Sequence, residues 1–384
     1  MVAPAPTTYA VITGGATSGH VVPALSIIEL LIEAGHPRET LIYVGSDRGV
    51  ETTLVPQTGI ACVFLGVDGL QRGLSFANIK RNLRMLPTMM RATQSATQIL
   101  VQHRPRVVVS VGGYVSAPIC RAARHLKIPV VTCSYDSKPG MATKMQARYA
   151  AAVAVAHESS TLRKAQLTGA PVRAELRALD RDASRAESRM RLGISNNAKL
   201  VVVMGGSLGS AVLNSATEAL VKQIESTETS DVAILHIAGS RYMDNQNLSS
   251  EIRRSDGSLM YQRIAYSSNM QDIYAAADLV VARAGASTVA EIATVGIASV
   301  LIPWKDAAEN HQLTNAKSLS DHGGAVLLEE SRLTNEIFEQ QIVGLLTDDA
   351  MRSQISQTAR KLGDVHRNCS IASVIDSAAG SVAR

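Results

Sequence analysis

The chain carries the same local pattern twice: a short apolar run, a glycine-rich turn and a helical pattern. The first copy joins Tyr9–Thr13 to the helical pattern His20–Gly35, and the second joins Lys199–Met204 to Ala211–Ile224. A strand followed by a crossover helix is the repeating unit of a parallel sheet, and its crossovers are right-handed. Because the series starts again in the second half, the sequence predicts two similar doubly wound α/β domains.

Further short apolar runs continue the alternation in both halves, with later helical patterns at Thr288–Thr294 and Gln312–Ser320. The remaining predicted strands are Leu41–Val44, Cys62–Leu65, Arg106–Val111, Pro129–Thr132, Val232–Ile237, Asp278–Ala282 and Ser299–Ile302. Aromatic residues are only 3% of the 384, so the core must be mainly Val, Ile, Leu and Ala. Such a core is typical of buried parallel strands covered by helices.

A polar, charged stretch over Gly169–Asn197 separates the two series, and we place the hinge near Pro171. A chain of 384 residues exceeds the size at which one hydrophobic core keeps growing. We therefore expect an N-terminal domain over residues 1–170 and a second domain over residues 171–353. The tail, residues 354–384, has a helical pattern and is predicted to return to the first domain.

Composition narrows the class of protein. The net charge of +5 fits an anionic partner such as a sugar nucleotide or a lipid phosphate. It is too small and too scattered to indicate nucleic-acid binding. The four cysteines are far apart and contain no CxxC pair, which favours reduced thiols over a zinc or disulfide framework. The sequence has neither a secretory signal pattern nor a long uncharged apolar run, so any membrane contact is expected to be peripheral.

Two turns of the first domain follow predicted strands. The first, Gly14–His20, has small residues that let backbone N–H groups approach an anion at a helix start, and His20 there is a candidate general base. The second is Gly112-Gly113-Tyr114. Because parallel strands end at one edge of their sheet, both turns are expected at the same edge. Tight turns without a ligand would show the same small residues.

Three motifs of the second domain also follow predicted strands or begin helices. Gly205–Gly209 repeats the glycine-rich turn and adds the hydroxyl of Ser207. Arg283–Glu291 begins a helix with small residues, and the Glu291 carboxylate is suited to accept hydrogen bonds from sugar or ribose hydroxyls. Glu309–Ala316 clusters amides and an imidazole, which suit a hydroxyl-rich ligand. Ordinary helix starts, where the dipole favours Glu, are the alternative.

An amphipathic pattern covers Leu70–Arg91. Its apolar residues recur at helical spacing, and basic residues lie between them. A basic amphipathic segment is suited to an anionic membrane surface, although a surface helix that faces its own core has the same periodicity.

Taken together, these segments resemble glycosyltransferase family 28, in the same order and over nearly the whole chain. The matching pieces are GGATSGHVVPAL, VGGYVSAP, GAPVR, GGSLGS, RAGASTVAEIATVG and ENHQLTNA. The resemblance implies the GT-B fold, in which two Rossmann-like domains face a cleft and a C-terminal helix crosses back to the first domain. It also implies inverting transfer of N-acetylglucosamine from UDP-GlcNAc to the C4 hydroxyl of lipid I, a polyprenyl-pyrophosphoryl muramoyl peptide, which forms lipid II in peptidoglycan synthesis.

The resemblance also implies roles for individual residues. His20 becomes the general base, with Asp136 as the second candidate, and Gly112, Gly113 and Tyr114 form a loop on the acceptor side. Glu291 is placed on the ribose, Ser267 at the uracil, and Gln312 with Asn315 at the GlcNAc. The residues assigned to donor binding are Thr17, Ser18, Gly19, Arg173, Ser207, Ser267, Ala286, Ser287, Thr288, Val289, Ala290, Glu291, Gln312 and Asn315.

The chain departs from the family pattern mainly in the first domain. Cys133-Ser134-Tyr135-Asp136 replaces the family's HEQN, so Asp136 stands where an Asn normally contacts substrate, and Leu208 replaces a Gln. Three alternatives therefore remain: a family 28 enzyme with another lipid acceptor, a UDP-GlcNAc 2-epimerase, and a weakly active homologue that acts as a scaffold for other cell-wall enzymes.

The resemblance further implies where the protein works and what it needs. Family members bind the cytoplasmic face of the cell membrane through the first domain, and Leu74–Arg91 matches that patch. The implied partners are UDP-GlcNAc, a polyprenyl-pyrophosphate-linked acceptor and an anionic membrane surface. No DxD-like metal site is evident, so we expect that no bound metal is required, and we expect no cofactor.

Overall fold

The computed structural model describes residues 7–67, 86–227, 231–243 and 249–380. The chain divides into two compact units, one formed by Met1–Ala174 with Asn368–Arg384 and the other by Glu175–Arg367. Most of the predicted amphipathic segment Leu70–Arg91 lies outside the described residues, which resume at Leu86. Among the described helices, none combines the length and apolar character needed to cross a bilayer.

The first unit contains a seven-stranded sheet with the order β3-β2-β1-β4-β5-β6-β7, and every pair is parallel. Its strands are β1 Ala10–Thr13, β2 Leu41–Ser46, β3 Ala61–Leu65, β4 Val107–Ser110, β5 Val130–Ser134, β6 Ala152–Val155 and β7 Ala165–Leu167. The central strands are buried at every position because helices cover both faces, which explains why their sequences are continuously apolar.

Helices of the first unit connect these strands and carry the residues that follow them. They are α1 Ser18–Glu33, α2 Glu51–Leu54, α3 Leu86–His103, α4 Ser116–His125 and α5 Met141–Ala147. The α1 helix begins directly after the first glycine turn, and its apolar face, including Ile27 and Leu31, is fully buried. A helix α6, Ala174–Arg177, begins where the first unit's long N-terminal segment ends.

The C-terminal segment that belongs to the first unit is Asn368–Arg384, which is shorter than the predicted tail of residues 354–384. Residues 354–367 belong to the second unit, because the helices Asp349–Leu362 and Asp364–Arg367 pack against the helix Ala286–Val295. Helix α15, Ile371–Gly380, packs against α1 and against strands β4, β5 and β6. Asp376 on α15 accepts hydrogen bonds from the Tyr9 hydroxyl and from Nε2 of His36, and the Tyr9 and His36 rings stack at 3.7 Å. This polar contact and the buried face of α15 hold the chain's end on the first sheet.

The second unit contains another seven-stranded sheet, with the order β10-β11-β9-β8-β12-β13-β14. The β10–β11 pair is antiparallel, and the other pairs are parallel. Its strands are β8 Lys199–Met204, β9 Val232–Ile237, β10 Glu251–Arg253, β11 Leu259–Ile264, β12 Leu279–Ala282, β13 Ser299–Leu301 and β14 Val326–Leu327. Its helices are α7 Arg181–Leu192, α8 Ala211–Thr227, α9 Met270–Ala276, α10 Ala286–Val295, α11 His311–Ser320, α12 Asn335–Thr347, α13 Asp349–Leu362 and α14 Asp364–Arg367.

A buried arginine attaches α7 to this sheet. Arg189 is 1% exposed, forms an ion pair with Asp278 at 2.7 Å and donates to the carbonyls of Ser195 and Ala198. Asp278 also accepts the backbone N–H of Leu200 at 2.8 Å. Each charge of this pair is therefore compensated, which a buried ion pair requires.

The predicted α/β fold with two doubly wound units is confirmed. The sequence prediction omitted β6, β7, β10, β11 and β14. Four of these have at most four residues. The fifth, β11, is the partner of the antiparallel edge strand, and its register is decided by pairing with distant strands. Short strands of this kind carry little periodicity from which they could be recognised.

Candidate functional site

The first half-site lies where adjacent parallel strands β1, β4 and β5 end. The turn after β1 leads into α1, the turn after β4 leads into α4, and the segment after β5 leads to α5. The two glycine turns therefore share one edge of the sheet, as predicted. In open α/β sheets, this edge is where ligands bind.

His20 stands in the first turn of α1 at this edge. Its Nδ1 is 3.3 Å from the Thr17 hydroxyl oxygen, and its ring is partly exposed. If Nδ1–H donates to Thr17, Nε2 keeps the lone pair that a general base needs. Burial of the ring lowers the pKa of His20, whereas the charges of Asp136 and then Glu51 act in the opposite direction. The neutral imidazole is thus favoured near neutral pH.

The second glycine turn packs directly on His20. Gly112 and Gly113 have φ angles of 88° and 77°, which L-residues rarely adopt. A side chain at either position would contact the imidazole ring, and one at Gly112 would also press on Thr143. Glycine is therefore favoured at both positions by the backbone conformation, and at Gly112 also by the nearness of Thr143. Tyr114 follows them and packs on the hydrophobic core of the first unit.

A buried glutamine organises this edge from below. The Gln146 side-chain oxygen accepts hydrogen bonds from Ser110 and Thr132, at 2.7 and 2.8 Å, and its amide nitrogen donates to Ser116 at 2.8 Å. Ser110 ends β4, Thr132 lies in the middle of β5, and Ser116 begins α4. Gln146 therefore fixes the segments on either side of the Gly112 turn, a role that the sequence analysis did not anticipate.

The segment after β5 places polar groups beside His20. Tyr135 is buried, and its hydroxyl donates to the Gly19 carbonyl at 2.6 Å. Asp136 is partly buried, and its charge acts on both His20 and His157. His157 follows β6 and lies with Nε2 3.2 Å from the Tyr135 carbonyl, and burial lowers its pKa. Sequence analysis predicted Asp136 at this edge but missed Tyr135 and His157, since neither belongs to a glycine-rich motif.

A buried carboxylate occupies the space under the first glycine turn. Glu51 is 0% exposed and accepts the backbone N–H of Ala16 on both oxygens, at 3.0 and 3.1 Å. It also accepts the N–H of Ser46 at 2.9 Å. The Ala16 amide is therefore engaged by the protein itself, so an anion at this turn would use other groups. Sequence analysis missed Glu51, although the glycines around it, Gly15 and Gly49, were a visible signal.

Among the remaining predicted residues of the first unit, Thr17, Ser18 and Gly19 lie at this edge, whereas Arg173 lies beside the other end of α1. Thr17 and Gly19 are exposed, and Ser18 is partly exposed at the start of α1. Arg173 is partly buried next to Ala174, whose N–H donates to the Glu29 carboxylate of α1 at 2.9 Å.

The second half-site is organised by Arg283, which follows β12. Its guanidinium donates to the Ser210 hydroxyl at 2.8 Å and to the carbonyls of Ile302 and Pro303, and it pairs with the Glu330 carboxylate at 2.5 Å. Ser210 directly precedes α8, and Ile302 directly follows β13. One side chain therefore connects the ends of strands β8, β12 and β13.

Helix α10 begins at Ala286, three residues after this arginine. The predicted donor segment, Ala286–Ala290, forms its first turn. Ser287 has a buried hydroxyl oxygen that makes no hydrogen bond within the described part of the chain. Buried polar groups normally have a partner, so this hydroxyl is suited to a ligand at the helix N-terminus, where backbone N–H groups also favour an anion.

Glu291 lies one turn further along α10. Its Oε2 accepts a hydrogen bond from the hydroxyl of Tyr274 at 3.1 Å, and Tyr274 is fully buried in α9. Glu291 itself is partly exposed. The carboxylate is thus held in one orientation by the core while part of it remains accessible, as a ligand-binding carboxylate requires.

Helix α11 supplies the last predicted pair. Asn315 is 1% exposed, and its amide donates to the Ala284 carbonyl at 3.2 Å. Gln312 is partly exposed and accepts the backbone N–H of Trp304 at 3.0 Å. Just before α11, Glu309 and Asn310 both adopt left-handed conformations, with φ of 55° and 54°. Strained backbone of this kind clusters at functional sites.

The turn after β8 exposes Ser207. Its Gly209 packs against the turn after β9: a side chain at Gly209 would overlap the Ala238 carbonyl, and one at Gly239 would overlap the backbone of Gly209. Ser267, between β11 and α9, is partly exposed and accepts the N–H of Asn269 at 3.1 Å. Within the described ranges, no cluster of three or more His, Cys, Asp or Glu side chains has the arrangement of a metal site.

Two doubly wound units, each with polar side chains at the ends of its parallel strands, define the class of proteins with the GT-B fold. The N-terminal domain of glycosyltransferase family 28 matches residues 10–155, and the C-terminal domain of that family matches residues 200–366. The chain therefore belongs to glycosyltransferase family 28 and is a glycosyltransferase, which confirms the resemblance seen in the sequence.

Curated relatives extend this similarity over nearly the whole chain. A protein of Mycobacterium bovis is 35% identical over 97% of this chain and 87% of its own length. A protein of Halalkalibacterium halodurans is 33% identical over 92% of this chain and 94% of its own length. Both are named UDP-N-acetylglucosamine--N-acetylmuramyl-(pentapeptide) pyrophosphoryl-undecaprenol N-acetylglucosamine transferase.

Solved structures agree on the fold. MurG of Acinetobacter baumannii is 25% identical, with a TM-score of 0.69 over 97% of this chain and all of that one. A putative UDP-N-acetylglucosamine 2-epimerase of Listeria monocytogenes has a TM-score of 0.62 over 98% of each chain at 12% identity. The second likeness concerns the fold alone.

Proposed function

We propose that this protein transfers N-acetylglucosamine from UDP-GlcNAc, with inversion, to the C4 hydroxyl of the muramoyl sugar of lipid I. The observation that carries this proposal is its similarity, across both units, to relatives named for that reaction. Proteins related by fold alone would resemble this chain in their sheets. They would not be 33–35% identical to it over 92–97% of its length. The product is lipid II.

On the acceptor side, the proposed base is His20. Its neutral imidazole takes the proton of the attacking hydroxyl at Nε2 while Nδ1 stays near Thr17. The contact of Nδ1 with the Thr17 hydroxyl is proposed to orient the ring before the acceptor binds. Asp136 supplies the negative charge that stabilises the imidazolium formed in the transition state.

On the donor side, the proposed site is the N-terminus of α10. Its backbone N–H groups and the Ser287 hydroxyl are suited to the diphosphate, whose negative charge grows as UDP departs. The Glu291 carboxylate, oriented by Tyr274, is suited to the ribose hydroxyls. Gln312 and Asn315 lie on α11, close in sequence to the strained Glu309–Asn310 pair, and are proposed to recognise the sugar.

Measuring UDP release with and without lipid I tests the proposal against the alternatives. Release that depends on lipid I supports it. If UDP is released only when a different lipid acceptor is supplied, the protein is a family 28 enzyme with another acceptor. If UDP-GlcNAc is converted to its 2-epimer without any lipid, the protein is a 2-epimerase. UDP binding without turnover under all conditions identifies the scaffold.

Glu291→Ala is expected to weaken UDP-GlcNAc binding by about 1–3 kcal/mol, because ligand hydroxyls would lose their buried acceptor. Tyr274 would also lose its partner, so Tyr274→Phe is the control that removes the supporting hydroxyl but keeps the carboxylate. Titration calorimetry measures both affinities. Unchanged affinity in the Glu291→Ala protein removes Glu291 from the donor site.

We further propose that the protein works at the cytoplasmic face of the cell membrane, held there by its first unit. The lipid tail keeps the acceptor's pyrophosphate at the bilayer surface, so the acceptor half-site must approach that surface. Besides Leu74–Arg91, helix α5 supports such a contact. Its Thr143 is buried beside Gly112, whereas Met141 and Met145, one turn apart, are 72% and 59% exposed with Lys144 between them.

Replacing Lys80, Arg81, Arg84 and Arg91 by Gln is expected to abolish sedimentation with anionic vesicles while sparing UDP-GlcNAc binding. Each basic side chain near an anionic leaflet contributes about 1 kcal/mol, so the four together supply up to roughly 4 kcal/mol, less at high salt. The matched control lowers the net charge by the same amount on the second unit. It replaces four exposed basic residues by Gln: Lys222, Lys317, Arg332 and Lys361. Equal sedimentation of the first variant and the parent protein rules out this segment as the membrane contact.

A further inference from the structure

The Glu51 carboxylate does not reach the protein surface. It is the most enclosed acid of the first half-site. It is 0% exposed, and both of its oxygens accept backbone N–H groups. Acceptance on both oxygens is the pattern of an ionised carboxylate. A buried charge held only to support folding is costly, because apolar residues would fill the same space more favourably.

The chain around Glu51 is shaped to receive it. A side chain at Gly15 or Gly49 would overlap the carboxylate oxygens, and one at Gly45 would press on its Cγ. These glycines come from the turn after β1, the turn before α2 and strand β2. Three separate segments therefore leave room for one carboxylate.

The hydrogen bonds of Glu51 determine the shape of the first glycine turn. Ala16, whose N–H it binds, has a φ of 76°, a conformation that an alanine rarely adopts without support. The same turn is held on its other side by the Tyr43 hydroxyl, which donates to the Gly14 carbonyl. Burial and the charge of Glu51 raise the pKa of Tyr43, so the phenol stays protonated and keeps donating.

Helix α1 begins two residues after Ala16, and His20 is in its first turn. We propose that Glu51 is a positioning residue for the transfer reaction: it holds the glycine turn in its strained form and thereby sets the place of His20 and the charge around it. This inference rests on the proposed role of His20 as the base. Glu51 acts through the turn and does not itself contact the reacting atoms.

The charge of Glu51 has a second consequence for His20. Two carboxylates, Asp136 after β5 and Glu51 on α2, act on the imidazole and raise its pKa against the effect of burial. The hydroxyls of Thr17, Tyr135 and Thr143 are uncharged, and burial lowers the pKa of the nearby His157, which favours its neutral form. Removing the charge of Glu51 should therefore lower the pKa of His20 and move the acidic limb of the pH–rate profile to lower pH.

The experiment compares Glu51→Gln, which keeps the size but loses the charge, with Glu51→Asp, which keeps the charge but is one methylene shorter. Glu51→Gln is expected to lower lipid I-dependent turnover about tenfold to hundredfold, because a small misplacement of a catalytic group has this effect, while KM for UDP-GlcNAc is unchanged. The pKa of His20, measured by NMR in isotopically labelled full-length protein, should fall in Glu51→Gln. Glu51→Asp should keep that pKa near the parent value and recover part of the turnover.

Two controls keep the outcome interpretable. Glu39→Gln makes the same change at an exposed glutamate of the first unit and should alter neither turnover nor the pKa of His20. Gly15→Ala displaces the carboxylate without removing it and should reproduce the loss of turnover. This variant decides the matter if Glu51→Gln does not fold.

The proposal is overturned if a folded Glu51→Gln or Gly15→Ala protein keeps turnover within about threefold of the parent. It is also overturned if neither variant folds, because Glu51 would then serve stability alone. A parent protein without lipid I-dependent turnover contradicts the proposed function instead. The NMR titration would still show whether Glu51 controls the pKa of His20.

Discussion

Replacing His20 by Ala should lower turnover by roughly 10²–10⁴-fold, the usual effect of losing a general base, while UDP-GlcNAc affinity stays nearly unchanged. The donor residues proposed here lie mainly in the second unit, whereas His20 belongs to the first. Single-turnover rates and donor titrations, measured on the same preparations, separate the two effects. His125→Ala changes an exposed histidine of the first unit and should leave the rate as it is.

The pH profile gives an independent measure of the same group. Burial holds the pKa of His20 below its ordinary value of 6.5, and the base is active when neutral. Activity should therefore persist as the pH falls through 6.5 and decline only at lower pH, where the imidazole takes up a proton. A loss of less than about tenfold in His20→Ala, together with a larger loss in Asp136→Asn, would make Asp136 the base.

Arg283→Met should lower the free energy of unfolding of the second unit by about 3–5 kcal/mol, because it leaves the buried Glu330 carboxylate without its cation. The side chains of Arg283 and Glu330 are only 9% and 7% exposed, so water cannot replace the lost partner. The Ser210 hydroxyl and the carbonyls after β13 also lose their donor. Chemical denaturation followed by a probe in the second unit measures the change.

Pairing that variant with Glu330→Gln separates the stranded charge from the lost hydrogen bonds. The double variant should recover part of the stability, since the buried charge is gone, but not all of it, since the Ser210 hydroxyl and the Ile302 carbonyl still lack their donor. Arg241→Met, at an exposed arginine, is the matched control. Full stability in Arg283→Met would show that the ion pair contributes nothing to the fold of this unit.

Local patterns were sufficient for those parts of the fold in which sequence and tertiary environment agree. The strand Lys199–Met204 was predicted with its observed bounds because a buried parallel strand requires a continuous apolar run. The turns at Gly14 and Gly112 were predicted to share an edge because they follow parallel strands, and the structure places both beside His20. The short strands β7, β10 and β14 were missed, since each has only two or three residues and shows no periodicity.

Several contacts of the candidate site could not be predicted from local sequence patterns, because they join residues that are distant in the chain. A glycine such as Gly49 beside Glu51 signals a close approach, but it does not indicate that the carboxylate reaches the Ala16 amide, 35 residues earlier. Gln146 contacts residues on three other elements, and Asn315 turns its amide to Ala284 across 31 residues. These contacts are made by side chains whose own segments are ordinary helices.

The sequence by itself therefore determined the class of fold and the residues at the glycine-rich turns, because backbone conformation and apolar periodicity are local properties. Only the tertiary structure decided which charged side chains are buried beneath those turns, as Glu51 is under Ala16 and Arg283 is between Ser210 and Glu330. Burying a charge requires partners from distant segments, and their meeting depends on the packing of the whole unit.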